Sequence, residues 1–192
     1  IRLSLVGSEM CIRDRPSRMV AVCGLGAAGR VSADSVRDAA AEGARALRKM
    51  GCKSIAAPLL GAGVEGVAAT EAARAIIEGV LLGLYEFSKY KASEVNAVET
   101  VMLVTTAEIS VADVNATIQE ATVVAESTCL ARDMVNEPSN YMTPTRMAEM
   151  SLDLAAQYGF EAKVIEREEM EELGMGGLLA VARGSAEAPK FI

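Results

Sequence analysis

The stretch MVAVCGLG, residues 19–26, is a run of apolar residues that ends in glycines. An apolar run bounded by glycine turn signals predicts a buried β-strand. Two later runs have the same character, CKSIAAPLL at 52–60 and ETVMLVTT at 99–106. Strands of this kind, separated by helical segments, predict an α/β fold with a mainly parallel sheet covered by helices.

The segments between these strands have helical periodicity. Ser32 or Asp34 can cap a helix over residues 34–50, which ends before Gly51. A second helix is predicted over residues 70–91. Its apolar stripe consists of Ile76, Ile77, Val80, Leu81, Leu84 and Phe87.

The second half of the chain begins with one long helical pattern over residues 111–136. A turn-rich bend follows, and Pro144 is a favourable first residue for the next helix. The remaining elements predicted from pattern are a helix at 144–159, a strand at 160–166, a short helix at 167–174, a strand at 177–185 and the start of a strand at 188–192.

Composition limits the classes of function. The 192 residues carry a net charge of -7, which disfavours general nucleic-acid binding because that depends on Lys and Arg neutralising phosphates. No apolar run reaches the roughly 18 residues of a membrane-spanning helix, so we expect a soluble chain. The four cysteines form no CxxC motif, which is typical of a reducing compartment, and histidine is absent.

Two stretches match the dinucleotide-binding pattern GxGxxG. They are GLGAAG (Gly24, Gly26, Gly29) and GAGVEG (Gly61, Gly63, Gly66). In a dinucleotide-binding fold the third glycine lies inside the helix, and an acidic residue ends the next strand. Here a loop follows Gly29 and no carboxylate ends the next strands. Tight strand-to-helix turns are therefore the favoured interpretation of both motifs.

GAGVEG has a second interpretation as a phosphate loop. IAAPLLGAGVEGVAATEAARAII resembles the macro-domain loop in which backbone N–H groups at a helix start hold the diphosphate of ADP-ribose. Gly61, Gly63 and Gly66 are the candidate residues. The Asn-rich first loop of macro domains is not present in the chain, so the glycines alone support this alternative.

Two other groups of residues suggest chemistry but have simpler explanations. The acidic run EREEMEEL (166–173) has no neighbouring ligand set and is predicted to be a solvated helix face. Cys23, Cys52 and Cys129 lie in apolar segments with nothing beside them to lower a thiol pKa. We expect them to be buried and unreactive.

Residues 131–185 carry the most specific pattern. It comprises the bend Asn136-Glu137-Pro138-Ser139-Asn140, the turn EELGMG at 171–176 and Gly184-Ser185. With these motifs the chain closely resembles the leucyl aminopeptidase (cytosol aminopeptidase) family. VAVCGLG and LYEFSKYK (84–91) resemble that family's amino-terminal domain, which is similar in fold to macro domains. The resemblance extends over about residues 17 to 192.

This resemblance implies a cytoplasmic homo-hexamer that removes amino-terminal residues from peptides. The family uses two divalent metal ions, zinc or manganese, held by Asp, Glu and Lys rather than His. Some members bind DNA through the amino-terminal domain, which the acidic balance disfavours here. The family's Gly-Lys-Gly, Asp-x-Gly-Gly and Asn-Thr-Asp-Ala-Glu-Gly-Arg motifs do not occur in the sequence. No catalytic or metal-binding residue is assigned, and the chain is expected to bind no metal and to be inactive alone.

The first 15 residues, IRLSLVGSEMCIRDR, show no sustained strand or helix pattern. LVGSEMCIRD matches one reading frame of a transposase sequencing adapter, and an ordinary frayed terminus is the alternative. The expected division of the chain is an adapter-derived segment (1–15), a partial macro-like amino-terminal domain (16–109), a linker helix (110–136) and the start of a truncated metallopeptidase domain (137–192).

Overall fold

The computed structural model describes residues 3–6, 19–64, 66–92, 97–106 and 108–192. Contacts divide the chain into two compact units, with the boundary between Arg132 and Asp133. The elements in chain order are β1 (Leu3–Val6), β2 (Val20–Cys23), α1 (Ala33–Lys49), β3 (Ser54–Pro58), α2 (Ala69–Leu84), β4 (Thr100–Val104), α3 (Val111–Asn136), α4 (Pro144–Tyr158), α5 (Arg167–Glu172) and α6 (Gly176–Ala182).

The first unit has the predicted α/β character with a parallel strand pair. β3 and β4 are parallel, with Ile55 opposite Val101. β1 and β2 form a separate antiparallel pair, with Leu3 opposite Cys23. Within the described residues the strands therefore form two two-stranded sheets rather than one continuous sheet.

The expectation that residues 1–15 lack a strand is wrong for Leu3–Val6, which forms β1. An unpaired strand edge offers a row of N–H and C=O groups to any extended segment, and β2 offers such an edge. The remainder of the segment predicted to derive from an adapter lies outside the described residues. Its origin stays a prediction.

Helices α1 and α2 pack closely because glycines face the contact. A Cβ atom added at Gly79 would overlap the backbone carbonyl of Arg37, and one added at Gly83 would lie 2.7 Å from the Ala41 Cβ. Arg37 also joins the two helices through an ion pair with Glu78, at 2.8 Å. The glycine spacing lets two backbones approach to a distance that larger residues would prevent.

The core of the first unit lies between these helices and one face of the β3–β4 pair. Its fully or nearly fully buried members are Val36, Ala40, Ala44, Ile55, Ala75, Ile76 and Val80. On the opposite face of β4, Met102 and Val104 are 51% and 55% exposed. The alternation along β4 thus separates a packed face from a solvent-exposed apolar face.

The ends of α1 agree with the prediction, whereas α2 is shorter than predicted. The Ser32 hydroxyl accepts a hydrogen bond from the Ser35 amide at 3.3 Å, in a capping box with Ser35. α2 ends at Leu84 because Tyr85 takes an extended backbone conformation. The predicted helix over 70–91 therefore overruns by about two turns.

The second unit contains the helices α4, α5 and α6. Thr143 caps α4 through the Arg146 amide, Pro144 occupies its first turn, and Gly159 ends it in the left-handed conformation at φ 72°. The predicted strands at 160–166 and 188–192 are wrong, because only an isolated antiparallel bridge joins Ile165 to Phe191 there. A β-strand pairs with a neighbour along its length, whereas among the described residues these two segments are paired at a single position.

The predicted strand at 177–185 is also wrong, since residues 176–182 form helix α6. The run Leu178-Leu179-Ala180 suits a helix as well as a strand, and periodicity alone does not separate the two over so short a segment. Among the described residues, no helix has the length and apolar character needed to cross a membrane.

Candidate functional site

The turn between β3 and α2 holds the candidate phosphate-loop glycines. Gly61, Gly63 and Gly66 have φ values of 76°, 80° and 91°, a left-handed conformation that favours glycine. The turn is closed by its own backbone: Ala62 donates to the Leu59 carbonyl at 3.2 Å, Gly63 to Val67 at 3.0 Å, and Val64 to Gly61 at 3.0 Å. These amides are directed into the turn rather than outward to a ligand.

The space beside Gly61 is filled by apolar side chains. A Cβ atom at Gly61 would lie 2.9 Å from the Val36 Cγ2 and 3.3 Å from the Val31 Cγ1. Close packing against α1 and the first glycine-rich loop therefore explains this glycine. Phosphate binding by Gly61, Gly63 and Gly66 stays a prediction. Calorimetric titration with ADP-ribose tests it, and the absence of binding heat at millimolar ADP-ribose would contradict it.

The first glycine-rich loop differs from a dinucleotide-binding turn. Gly26 has φ 92°, and a short 3₁₀ helix over Ala28–Arg30 follows it. α1 begins only after its cap at Ser32, so Gly29 lies outside that helix. The third glycine of a dinucleotide-binding motif lies within the helix, where it allows close packing. The geometry agrees with the simpler interpretation as a turn.

A small apolar cavity of about 100 Å³ lies between β2, β3, α1 and α2. Its walls include Ala21 and Cys23 of β2, Ala56 of β3 and Gly43 of α1. Burial, and then the negative charge of Glu42, raise the pKa of the Cys23 thiol. Cys23 is thus protonated near neutral pH, which agrees with the expectation that it is unreactive. The expectation that the three cysteines are buried is wrong, because Cys23, Cys52 and Cys129 are each only half-buried.

The acidic run of α5 is involved in ion pairs with lysines. Glu166 pairs with Lys190 at 2.5 Å, and Glu169 pairs with Lys163 at 2.5 Å. In the part of the chain that the structure describes, no three His, Cys, Asp or Glu side chains form a metal-binding group. The described residues therefore do not fit the donor set of a two-metal centre.

A cluster that no sequence pattern predicts lies at the carboxyl end of α2. We call it the arginine junction (Arg48, Leu82, Leu84, Tyr85 and Arg132). Arg48 Nη1 donates to the Leu84 carbonyl at 2.8 Å, and Arg132 Nη1 donates to the Leu82 carbonyl at 3.1 Å. The Arg132 guanidinium also lies 5.4 Å from the centre of the Tyr85 ring. The related feature of the sequence is that the last turn of α2 contains no basic residue of its own.

Comparison with known proteins places these features in a family. The amino-terminal domain model of the cytosol aminopeptidase family matches residues 12–94, and the catalytic domain model of the same family matches residues 129–192. The chain belongs to the cytosol aminopeptidase family. The first match includes residues 12–15 of the segment predicted to be adapter-derived.

Curated relatives carry the family's name. A probable cytosol aminopeptidase of Alkaliphilus oremlandii is 34% identical over 180 residues, which are 92% of this chain and 36% of the relative. One from Geotalea uraniireducens is 36% identical over 180 residues, with the same coverage. The chain therefore spans slightly more than a third of the length of the relatives that it matches.

Solved structures share the fold. The bottromycin maturation enzyme BotP in complex with Mn is 35% identical, with a TM-score of 0.80 over 98% of this chain and 38% of that one. A mutant of tomato leucine aminopeptidase is 25% identical, with a TM-score of 0.81 over 98% of this chain and 36% of that one. The described elements thus have the arrangement of a leucine aminopeptidase-like fold.

Proposed function

We propose that the chain is the amino-terminal part of a two-metal aminopeptidase that releases amino-terminal residues from peptides. The observation that carries this proposal is the order of the two family matches, with the amino-terminal domain first and the catalytic domain second along one chain. The long helix α3 begins after the first match ends and runs into the second, which starts at residue 129. A Mn complex among the similar structures supports divalent metal ions as the cofactors.

The proposed domain division follows the same order. Residues 16–109 form a partial macro-like amino-terminal domain, residues 110–136 the linker helix, and residues 137–192 the beginning of the catalytic domain. Helix α3, Val111–Asn136, coincides with the proposed linker. The whole enzyme is proposed to act on peptides in the cytoplasm, in keeping with the name of the relatives. That it forms a homo-hexamer is proposed from the family resemblance alone.

The 192-residue chain alone is proposed to be inactive. The family's Lys- and Asp-containing motifs are absent from its sequence, and its described acidic residues do not form a metal-binding group. The metal ions, when bound to the whole enzyme, would polarise the scissile carbonyl and activate water. What the present residues supply is the scaffold that precedes the catalytic centre.

Hydrolysis of leucine p-nitroanilide by the purified chain tests its inactivity. With Mn²⁺ or Zn²⁺ added, we expect release of p-nitroaniline at the rate of the metal-only blank. A preparation from cells lacking the chain controls for contaminating peptidases. Turnover that rises in proportion to the concentration of the chain, and that EDTA abolishes, would contradict the proposal.

A further inference from the structure

The arginine junction joins three helices at one helix end. Carbonyl groups in the last turn of an α-helix lack partners within that helix and carry partial negative charge, so cations near them are stabilising. α2 has no basic residue there, and Arg48 from α1 and Arg132 from α3 supply two guanidinium groups. The carboxyl end of α2 is therefore completed by its neighbours.

Arg132 makes a second contact within the same junction. Its guanidinium lies 5.4 Å from the centre of the Tyr85 ring, within the range of a cation–π interaction. Tyr85 is the residue at which the backbone leaves α2. Arg132 thus contacts both the last turn of α2 and the first residue beyond it.

A second ion pair joins α3 to the beginning of α2. Arg74 lies 2.7 Å from Glu120, and between this pair and Arg132 the small residues Ala121 and Ala125 are fully buried. The order of the contacts, Arg74 with Glu120 and then Leu82 with Arg132, shows that the two helices run in the same direction. α3 is therefore joined to α2 by polar contacts at two positions, Glu120 and Arg132.

Full apolar burial does not extend along the rest of α3, where Cys129, Leu130 and Met134 are only half-buried. Its buried residues are Val114, Ala121 and Ala125, and the helix continues for 11 residues beyond the last of these, from Glu126 to Asn136. The hydrophobic effect scales with the apolar area removed from water, so these half-buried side chains hold the second half less strongly than fully buried ones would. The polar contacts of Arg132 act where that hydrophobic contribution is weaker.

We propose that Arg132 is a latch that positions residues 126–132 of α3 on the carboxyl end of α2. Without it, residues 128–132 separate from α2 while the core between α1 and α2 stays folded. The proposal rests on the first unit alone. It does not depend on the proposed enzymatic function, and each can fail without the other.

Hydrogen–deuterium exchange of the full chain, measured by mass spectrometry, tests the latch. In Arg132→Ala, we expect amides of residues 82–87 and 128–132 to exchange about fivefold faster, since one charge-assisted hydrogen bond and a cation–π contact are lost. Amides in the centre of α1 should exchange at the original rate. The matched control is Arg48→Ala, which removes the donor to the adjacent Leu84 carbonyl without altering α3.

The control separates a latch from a local helix cap. Arg48→Ala should accelerate exchange at residues 82–87 and leave residues 128–132 unchanged. The proposal is overturned if Arg132→Ala leaves residues 128–132 at the original rate, or if both variants accelerate that segment equally. If Arg132→Ala destabilises the whole unit, Arg132→Lys is the deciding variant, because its ammonium group retains the charge and a hydrogen-bond donor. Exchange at residues 128–132 within about twofold of the original rate supports the latch. Exchange there as fast as in Arg132→Ala contradicts it.

Discussion

At Gly79, α1 and α2 lie too close together for a side chain. A Cβ atom there would overlap the Arg37 carbonyl, which belongs to the backbone and does not move aside as a flexible side chain would. Alanine is favoured over glycine within helices by about 1 kcal/mol. Overpacking costs about 1–3 kcal/mol, and a clash with rigid backbone lies toward the upper end of that range, so the clash exceeds the gain by about 1–2 kcal/mol.

We therefore expect Gly79→Ala to lower the free energy of unfolding by about 1–2 kcal/mol, measured by urea denaturation followed by circular dichroism. Gly43→Ala is the control, because its Cβ would lie 3.1 Å from the Cys23 sulfur, a side-chain atom. It should cost less. Equal stability of Gly79→Ala and the original chain would show that the helices can move apart.

Cys23 gives a pH-dependent prediction. Burial, and then Glu42, raise the pKa of the Cys23 thiol in the folded chain. The protonated thiol therefore stabilises the fold below the ordinary thiol pKa, and this stabilisation is lost as the pH rises through the higher pKa of the folded chain. Alkylation by iodoacetamide needs the thiolate. Peptide mapping at pH 8.5 should show slower modification of Cys23 in the folded chain than in urea. Equal rates would contradict the raised pKa.

At the scale of elements, α1 depends on its amino-terminal cap. The Ser32 side chain accepts from the Ser35 amide, and the Ser35 side chain accepts from the Ser32 amide at 2.9 Å. Replacing such a cap by alanine costs about 1 kcal/mol. We expect Ser32→Ala to lower the free energy of unfolding by that amount.

A hydroxyl inside a helix provides the comparison for Ser32. Thr117 donates to the Asp113 carbonyl one turn earlier in α3, at 2.9 Å. Because that carbonyl already lies within a helix and alanine has the higher helix propensity, Thr117→Ala should be neutral or slightly stabilising. A loss of stability at Thr117 as large as that at Ser32 would contradict the distinction.

The elements also show which predictions from sequence succeed. α3 has the predicted bounds because its pattern is long and a turn-rich bend follows it. The prediction for α2 is too long, because Phe87 fits the apolar stripe although the helix has already ended. The prediction for α6 is wrong, because the run Leu178-Leu179 has no period that distinguishes a helix from a strand. What decides these two elements is tertiary contact, which a pattern does not contain.

The candidate site shows the same limit. The glycines of the two loops could be identified from sequence, but not the direction of their neighbouring amides or the valines that fill the space at Gly61. The arginine junction joins residues separated by 50 positions, Leu82 and Arg132, and no local motif marks it. The family motifs at residues 136–140 and 171–176 predicted the family, which the two family matches confirm.

At the scale of the whole molecule, the exposed face of β4 predicts association. Met102 and Val104 are adjacent on that face and each is more than half exposed. An apolar strand face open to solvent is a site for aggregation. We expect Met102→Lys to increase the soluble fraction with little change in the free energy of unfolding.

Light scattering of matched concentrations of the chain tests this expectation. Leu103→Lys is the control, because Leu103 packs against the core and a charge there should destabilise the first unit. If Met102→Lys scatters as strongly as the original chain, the exposed face of β4 does not drive association.

The central proposal concerns the whole enzyme and is tested most directly on the gene that encodes it. The reading frame beyond the codon for Ile192, from the same source, should encode the Gly-Lys-Gly, Asp-x-Gly-Gly and Asn-Thr-Asp-Ala-Glu-Gly-Arg motifs. The extended protein should hydrolyse leucine p-nitroanilide when Mn²⁺ or Zn²⁺ is present and lose this activity in EDTA. A folded extended protein that contains the motifs but releases no p-nitroaniline with either metal would contradict the proposed function, as would a frame without the motifs.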